Sequence, residues 1–319
     1  MPSYGVVAAK YRRKGSGQAT LIDGLPVVIT PGTLRYVDGG LGTGGDGLTW
    51  EAARTTIQAT VTAAARGDFC FIRPLAAGAY YTESVVVPNT TRELSLIGLT
   101  GTKGGSVYQA VTWRNSSNSV DDSALDLRPA HCQVENIHFF SRAAQELGFG
   151  IKAYWNTGSG LNIGSAIVNC GFSADLADHP AAAGLVQSAI RFDSSEGQLV
   201  ENCFFTDCRV GIAAGSTMNA SKELWVVNCH FNGLAANIAA DLFLSDITNL
   251  HVTGCVFGHT VPSHAAGTMQ KYIFTIGGTT TTGSVTNCHF GSANAGYGTD
   301  NTDDFIRAGN TYSAGMMTS

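Results

Sequence analysis

The chain repeats one short pattern of apolar and polar positions six times between residues 134 and 290. The pattern is a β-branched residue, any residue, asparagine, cysteine, any residue and phenylalanine. Its copies are VENIHF (134–139), IVNCGF (167–172), VENCFF (200–205), VVNCHF (226–231), VTGCVF (252–257) and VTNCHF (285–290). The fourth positions are spaced by 33, 33, 26, 26 and 33 residues, so the connecting segments vary in length whereas the hexapeptide does not.

Apolar residues around each copy alternate with a period of two, which is typical of β-strands and differs from the 3.6-residue period of helices. A repeat that returns one short strand to the same place in every circuit predicts a coil of strands. The simplest such geometry is a parallel β-helix, in which successive rungs stack about 4.8 Å apart. We therefore predict an all-β solenoid.

The asparagine of the hexapeptide is predicted to be a corner. The β-branched residue two positions before it and the cysteine directly after it must both face the interior, although strict alternation over this three-residue step would place them on opposite faces. Asparagine tolerates the left-handed conformation that such a bend needs, and Gly254, which replaces it once, does so at low cost. We expect a ladder of stacked corner asparagines whose amides bond from rung to rung. The ladder consists of Asn136, Asn169, Asn202, Asn228 and Asn287.

The cysteines and phenylalanines of the repeat are predicted to form files inside the coil. We expect buried, reduced thiols with a packing role, because unpaired cysteine is among the most buried residue types; catalysis and metal binding are the alternatives. Reduced thiols fit assembly in the cytosol. The phenylalanines are Phe139, Phe172, Phe205, Phe231, Phe257 and Phe290, and the cysteines are Cys170, Cys203, Cys229, Cys255 and Cys288.

Three segments upstream of the repeat predict strands separated by turns: 68–74 (DFCFIRP), 78–88 (GAYYTESVVVP) and 93–98 (ELSLIG). They resemble the opening coil of the pectate-lyase-like right-handed parallel β-helix superfamily, and the resemblance covers residues 35–290. It implies a right-handed solenoid with a helix that caps the N-terminal end. The superfamily contains lyases, hydrolases, bacteriophage tailspikes and non-enzymatic virion proteins, so the resemblance indicates a fold and leaves function open.

Residues 49–66 suit the capping helix, with Thr49 as its N-cap. Their apolar stripe has helical spacing and consists of Trp50, Ala53, Ile57, Val61 and Ala64. The predicted segments are thus an N-terminal arm (1–34), a cap (35–67), the β-helix (68–290) and a C-terminal tail or cap (291–319). The arm lacks periodicity and carries Lys10, Arg12, Arg13 and Lys14. It is either a disordered leader or, as we favour, a tether that orders against another subunit.

The amino-acid composition limits the kinds of partner that this chain is expected to bind. Charged residues make up 13% of the chain, the net charge is −5 and the 19 lysines and arginines are dispersed, which argues against a nucleic-acid partner. No run of eighteen apolar residues occurs, so we expect no membrane-spanning helix. The N-terminal basic cluster follows a weak apolar stretch, the reverse of a secretory signal. We expect no cofactor.

Outward positions of the rungs carry the candidate catalytic groups. Glu135 and Glu201 share one outward column two rungs apart, about 9.6 Å at 4.8 Å per rung. Inverting glycosidases separate their carboxyl groups by roughly 6.5–9.5 Å, so this pair is the candidate for glycoside chemistry. His230 and His289 are too far apart by the same reasoning to share a zinc ion. Asp126 is expected to be a solvated turn acid on a loop.

Adjoining outward columns also carry apolar residues, and an exposed apolar patch usually marks a contact. The predicted contact surface includes Leu199, Phe204, Trp225, Val227 and Val256. Tailspikes of the superfamily cover such columns by associating three β-helices, so the resemblance implies a homotrimer.

A mildly acidic, assembly-prone β-helix with a basic arm resembles a bacteriophage virion protein. We expect a structural and non-enzymatic component, a head-decoration or short spike protein, which assembles in the host cytoplasm and contacts a capsid protein through its arm. The alternative is a tailspike-like depolymerase or adhesin that acts on host surface polysaccharide. Its stacking aromatics would be Trp113, Tyr154 and Trp155.

Overall fold

The computed structural model describes residues 20–22, 25–27, 32–76, 78–99, 111–116, 123–141, 149–154, 162–174, 188–193, 195–206, 208, 210–215, 221–233, 240–259, 271–275, 281–291 and 304–312. The arm residues Lys10, Arg12, Arg13 and Lys14 lie outside these ranges. No helix in the ranges is long and apolar enough to cross a membrane.

The described secondary structure is almost entirely short strands, with one short helix, α1. In chain order the elements are β1 (Thr20–Ile22), β2 (Leu25–Val27), β3 (Leu34–Val37), α1 (Ile57–Ala63), β4 (Phe69–Ile72), β5 (Tyr81–Thr82), β6 (Val85–Val87), β7 (Ser95–Gly98), β8 (Val111–Arg114), β9 (Ser123–Leu127), β10 (Gln133–Glu135), β11 (Ile137–Ser141), β12 (Phe149–Tyr154), β13 (Asn162–Ile163), β14 (Ala166–Val168), β15 (Gly171–Ala174), β16 (Ser188–Asp193), β17 (Ser195–Glu201), β18 (Phe204–Thr206), β19 (Val210–Ala214), β20 (Ser221–Val227), β21 (His230–Gly233), β22 (Ala240–Leu244), β23 (Ile247–Thr248), β24 (Leu250–Thr253), β25 (Val256–His259), β26 (Lys271–Thr275), β27 (Thr282–Thr286), β28 (His289–Phe290), β29 (Asp304–Ala308) and β30 (Thr311–Tyr312).

The coils contribute strands to three parallel sheets. The first sheet runs β3-β4-β7-β10-β14-β17-β20-β24-β27-β29. In addition, β13 pairs with β17, and β23 pairs with β20. The second runs β5-β8-β11-β15-β18-β21-β25-β28-β30, and the third runs β6-β9-β12-β16-β19-β22-β26. β1 and β2 form a separate antiparallel hairpin. The predicted parallel β-solenoid is confirmed.

The six hexapeptides stack in one register. In the first sheet Val134 pairs with Ile167, and the column continues through Val200, Val226, Val252 and Val285. In the second sheet all six repeat phenylalanines pair in the same order. Variable connections are therefore accommodated outside the rungs, which keeps like residues above one another.

The chain bends at the predicted corner. The five corner asparagines have φ between 51° and 58°, and Gly254 has φ 66°, which is the left-handed conformation. Their backbone N–H groups bond the next rung, as from Asn202 to the Val227 carbonyl at 2.9 Å. Among the described residues, the side-chain hydrogen bond that a corner asparagine makes to another rung runs from Asn169 Nδ2 to Glu135 Oε1, at 3.4 Å. The corner ladder is thus made by the backbone rather than by amides bonding amides.

The phenylalanines form a continuous stack in the interior. Neighbouring ring centroids are 4.6–5.3 Å apart, and neighbouring planes are inclined by 3–10°. Trp113 extends the stack beyond Phe139 with a centroid distance of 5.4 Å and is fully buried. Its Nε1 donates to the Glu83 carbonyl at 3.0 Å. The suggestion that Trp113 stacks on a ligand from a loop is therefore wrong, because β8 places its ring in the core.

The five repeat cysteines form a second file, and all are buried thiols. Each Sγ has two carbonyl acceptors, one in its own rung and one in the preceding rung. For Cys203 these belong to Glu201 and Ile167, at 3.4 and 3.6 Å. Burial raises the pKa of Cys203 well above its ordinary value, as it raises the pKa of Cys70 and Cys132 to about 12.

Asn310 occupies the cysteine position in the last rung that the structure describes. Asn310 Nδ2 donates to the Val285 carbonyl, and Asn310 Oδ1 accepts from the Cys288 N–H, both at 2.9 Å. The amide thus satisfies the backbone of the rung before it. The ladders extend on both sides of the range 68–290, because β3 pairs with β4, β29 pairs with β27, and β30 pairs with β28.

The capping helix is shorter than predicted. Thr49 Oγ1 accepts from the Ala52 N–H at 3.2 Å, but the chain makes a turn there. Arg54 then pairs with β3, donating to the Tyr36 carbonyl at 3.0 Å and accepting from the Asp38 N–H at 2.8 Å. Because this segment covers the edge of β3, the helix begins only after Thr56, whose Oγ1 accepts from the Ala59 N–H. The predicted helix 49–66 is corrected to Ile57–Ala63.

Two side chains fasten α1 to the first coil. The Glu83 carboxylate accepts from the N–H groups of Ile57 and Gln58, each at 2.9 Å, which satisfies donors that a helix N-terminus leaves unpaired. Gln58 Oε1 accepts from the Val86 N–H at 2.9 Å and Nε2 donates to the Val86 carbonyl at 3.4 Å. The amide of Gln58 therefore pairs with β6 as an additional strand residue would.

Candidate functional site

The outer face of the third sheet carries a group of five charged side chains, here named the charged cluster: Asp126, Arg128, Lys152, Arg191 and Asp193. The register places Asp126 beside Lys152 and Lys152 beside Arg191 on successive strands. Asp193 lies two residues after Arg191 in β16, so it faces the same side. The alternate residues of β16, Ile190 and Phe192, are buried in the core.

Two ion pairs organise the charged cluster. Arg128 Nη2 lies 2.9 Å from Asp126 Oδ2, and Arg191 Nε lies 2.7 Å from Asp193 Oδ2. Both guanidinium groups remain about one third exposed, whereas the carboxylates are mostly covered. The cluster holds three cations and two anions, so it carries one more positive than negative group.

Asp193 is the perturbed acid of the cluster. Burial raises its pKa above the ordinary aspartate value, while Arg191 and Lys152 oppose the rise. Its Oδ1 is buried and accepts no hydrogen bond from the described residues. A carboxyl group with a raised pKa beside two cations can donate a proton nearer to neutral pH, and the cations can bind an anion.

The charged cluster was not predicted, and Asp126 was assigned to a loop. In the structure Asp126 lies within β9, and it faces outward between the buried Leu125 and Leu127. The alternation of charged and apolar residues in SAIRFD (188–193) is the sequence signal that could have indicated this face.

The predicted glycosidic pair lies elsewhere, on the outer face of the first sheet. Glu135 pairs with Val168 and Val168 with Glu201, as the two-rung prediction requires. Val168 is buried. The Glu135 carboxylate accepts from Gln133 Nε2 at 2.7 Å and from Asn169 Nδ2 at 3.4 Å. Glu135 is thus engaged by neutral amides on both of its oxygens.

Histidines on the outer faces pack against aromatic and hydroxyl groups. His230 meets the Phe204 ring edge to face at 4.9 Å, and the His251 ring stacks on Trp225 at 3.9 Å. His138 Nε2 lies 2.8 Å from Ser173 Oγ. Burial lowers the pKa of His138, His230 and His251. Within the described residues no three histidine, cysteine or acidic side chains converge on a metal position.

The predicted contact surface is less uniform than expected. Phe204 is 43% exposed, but Leu199 is only 6% exposed, because it lies between Ala166 and Trp225 of the neighbouring rungs. Leu199 is therefore corrected to a covered residue. Trp225, Val227 and Val256 are half-buried. The side chain of Tyr154 and all of Trp155 lie outside the described residues.

Comparison with protein-family models and with curated proteins finds no match. Among solved structures, the chain is similar to a pectin methylesterase from Aspergillus niger, with a TM-score of 0.54 and 12% identity over 89% of this chain and 87% of that chain. This likeness shows a shared fold. A polygalacturonase from Erwinia carotovora (TM-score 0.41, 10% identity, 90% and 94% covered) and a pectin methylesterase from carrot (0.41, 12%, 92% and 86%) are also similar.

The likeness to the Aspergillus niger protein shows the fold alone. At 12% identity it indicates how the coils are built and carries no residue of an active site to this chain. Function must therefore be argued from the chain's own surface.

Proposed function

We propose that the chain binds an anionic polysaccharide along the outer face of its third sheet. The observation that carries this proposal is the register of Lys152 and Arg191 on successive strands, flanked by the Arg128–Asp126 pair. Strand spacing sets successive cations about 4.8 Å apart along the solenoid, which suits a ligand with repeated charges. Guanidinium groups bind carboxylates in a planar, two-bond geometry.

The fold adds support to this proposal. The Aspergillus niger protein with which the chain shares its fold is by name a pectin methylesterase, so a protein named for acting on a polysaccharide uses the same framework. This is the polysaccharide-directed alternative among the predicted functions. The present proposal places the bound polysaccharide at the charged cluster, whereas the prediction from sequence placed it at Glu135 and Glu201.

Binding of acidic and neutral oligosaccharides, measured by titration calorimetry, tests the proposal. Oligogalacturonate is expected to bind, a neutral oligosaccharide is not, and Lys152→Ala is expected to weaken binding about tenfold, the effect of losing one hydrogen bond to a charged group. Lys222→Ala is the matched control, because Lys222 is an exposed lysine on the first sheet. Equal loss in both variants, or equal binding of the neutral sugar, would refute the proposal.

The same titration separates binding from cleavage. Reducing ends released during incubation would indicate a depolymerase, and Asp193→Asn should then abolish the release. Binding without release would indicate an adhesin.

A second candidate function is the predicted structural component of a bacteriophage virion, a head-decoration or short spike protein. It is supported by the exposed ring of Phe204 beside half-buried Trp225, Val227 and Val256, since apolar outer columns favour association. In this proposal three copies associate laterally, and the arm contacts a capsid protein.

Sedimentation velocity tests the lateral contact. Phe204→Asp is expected to convert a trimer to a monomer, whereas Thr206→Asp, two residues along the same strand, is expected to leave the trimer intact. A wild-type chain that stays monomeric at high concentration would exclude the trimer.

A further inference from the structure

The strands of the second sheet contain no acidic residue. Its nine strands, from β5 to β30, also contain no lysine, and Arg114 is their single arginine. Four of the chain's eight histidines lie in these strands: His138, His230, His259 and His289. Histidine is the side chain whose charge ordinarily changes between about pH 5 and 8. The charge of this sheet therefore depends mainly on whether its histidines are protonated.

Two of these histidines share an outward column with Phe204. The register joins Phe204 to His230, His230 to Val256, and Val256 to His289. Phe204 and His289 are exposed, and His230 and Val256 are half-buried. The His230 ring contacts the Phe204 ring edge to face at 4.9 Å, and His289 Nδ1 lies 3.0 Å from Thr311 Oγ1. A molecule that covers Phe204 must therefore also lie against His230.

The strands on either side of His230 bring no carboxylate to it. β18 and β25 flank its strand, β21, and their described side chains are uncharged. The side chain of His259, at the end of β25, lies outside the described residues, as do Asp207 and Arg209, which follow β18 in the sequence. Within the described part of this sheet, a protonated His230 thus has no acidic neighbour.

The first sheet adds little charge across the asparagine corner. It presents Glu201 beside the rung of Phe204 and uncharged residues beside the rungs of His230 and His289, while the exposed Arg307 lies in the last described rung. The uncharged residues are Val227 and Thr286. Protonation of His230 and His289 is therefore balanced by no carboxylate in their own described rungs.

We propose that acidification releases the lateral contact through Phe204, and that His230 and His289 are the groups that respond. This proposal rests on the second candidate function, in which copies of the chain associate through this face. At neutral pH the outer column carries no full charge, so two copies can meet on it without burying ionised groups. The regulation does not involve the charged cluster on the third sheet.

Protonation opposes the contact in two ways. Covering a charged imidazole removes its hydration, and no described carboxylate in its rung replaces the lost water. A symmetric contact also brings the same columns of neighbouring copies together, so like charges would approach one another. The contact thus favours neutral histidine, and the free chain binds protons more readily than the assembled chain.

The direction and the size of the effect follow from this linkage. Association is expected to be strongest above the pKa of the free histidines and to weaken as pH falls, about tenfold per pH unit for each histidine that the contact keeps neutral. Burial lowers the pKa of His230, so its part of the release is expected below about pH 6.5.

Sedimentation velocity of the full chain at about pH 8 and about pH 5, at one ionic strength, tests the proposal. The wild-type chain is expected to be oligomeric at the higher pH and monomeric at the lower pH. A variant with both His230→Gln and His289→Gln is expected to stay oligomeric at both, because glutamine takes up no proton. His131→Gln is the matched control, since His131 is an exposed histidine that precedes β10, and it should dissociate as the wild type does. Circular dichroism at the lower pH checks that the strands are intact.

The possible failures can be told apart. A wild-type oligomer that persists at the lower pH would overturn the pH response and leave the lateral contact standing. A wild-type monomer at both pH values would overturn the lateral contact and the pH response together. Equal dissociation of the double variant and the wild type would overturn the role of His230 and His289.

Discussion

Replacing Phe205 by alanine is expected to cause a large loss of stability, because its ring lies inside the stack with a neighbour on both sides. Phe205 is buried, and its ring lies 5.0 Å from Phe172 and 4.6 Å from Phe231, inclined by 8° and 6°. Truncating a buried phenylalanine costs about 3–5 kcal/mol, and each stacked neighbour contributes about 0.5–1.5 kcal/mol beyond burial. With a neighbour on both sides, the expected loss lies near the upper end, about 5 kcal/mol.

Urea unfolding followed by circular dichroism measures this loss. Phe204→Ala is the matched control, because Phe204 is the adjacent residue on the opposite face of the same strand and is 43% exposed. Its truncation is expected to change the free energy of unfolding by less than about 1 kcal/mol. If Phe204→Ala costs as much as Phe205→Ala, or if Phe205→Ala costs less than about 1 kcal/mol, the stacked interior is refuted.

Three further predictions concern the cap, the histidines and the thiols. Glu83→Gln is expected to destabilise the fold by about 1–2 kcal/mol, because an amide keeps one acceptor for two helix N–H groups; Glu51→Gln, at an exposed position, is the control in the same urea titration. Since burial lowers the pKa of His138, its unfolded form binds protons more readily, so stability should fall as pH drops below about 6.5; His138→Gln should flatten this pH dependence, and an unchanged slope would contradict it. Cys208 is half-buried whereas the other cysteines are buried, so a thiol reagent should label one site quickly in the folded protein, and Cys208→Ser should abolish this fast phase.

The hexapeptide was sufficient to predict the register of the first two sheets. Asn202 and its counterparts require a bend, Phe205 and its counterparts require a common interior, and the two together allow one stacking. Capping was harder to predict, because the helical period of residues 49–66 competes with the pairing of Arg54 at the edge of β3. Local helix propensity contains no information on backbone hydrogen bonds to a strand that is distant in sequence.

The charged cluster could not be found in the same way. Asp126, Lys152 and Arg191 come together through connections of different length, and the third sheet has no repeated motif to count from. The sequence shows that each residue alternates with apolar neighbours, but not which rung it joins. The burial of Leu199 could not be predicted for the same reason, because the residues that cover it belong to neighbouring rungs.

The amide of Gln58 has a consequence for how the molecule behaves in a crowded solution. If this edge of β6 were uncovered, its unpaired backbone N–H and C=O groups could pair with a strand of another molecule. Such edge pairing is a common first step of aggregation. Gln58 and Glu83 hold α1 over this edge of β6, which disfavours the addition of a foreign strand there. Weakening the attachment of α1 is therefore expected to cause precipitation before any loss of strand structure in the following rungs.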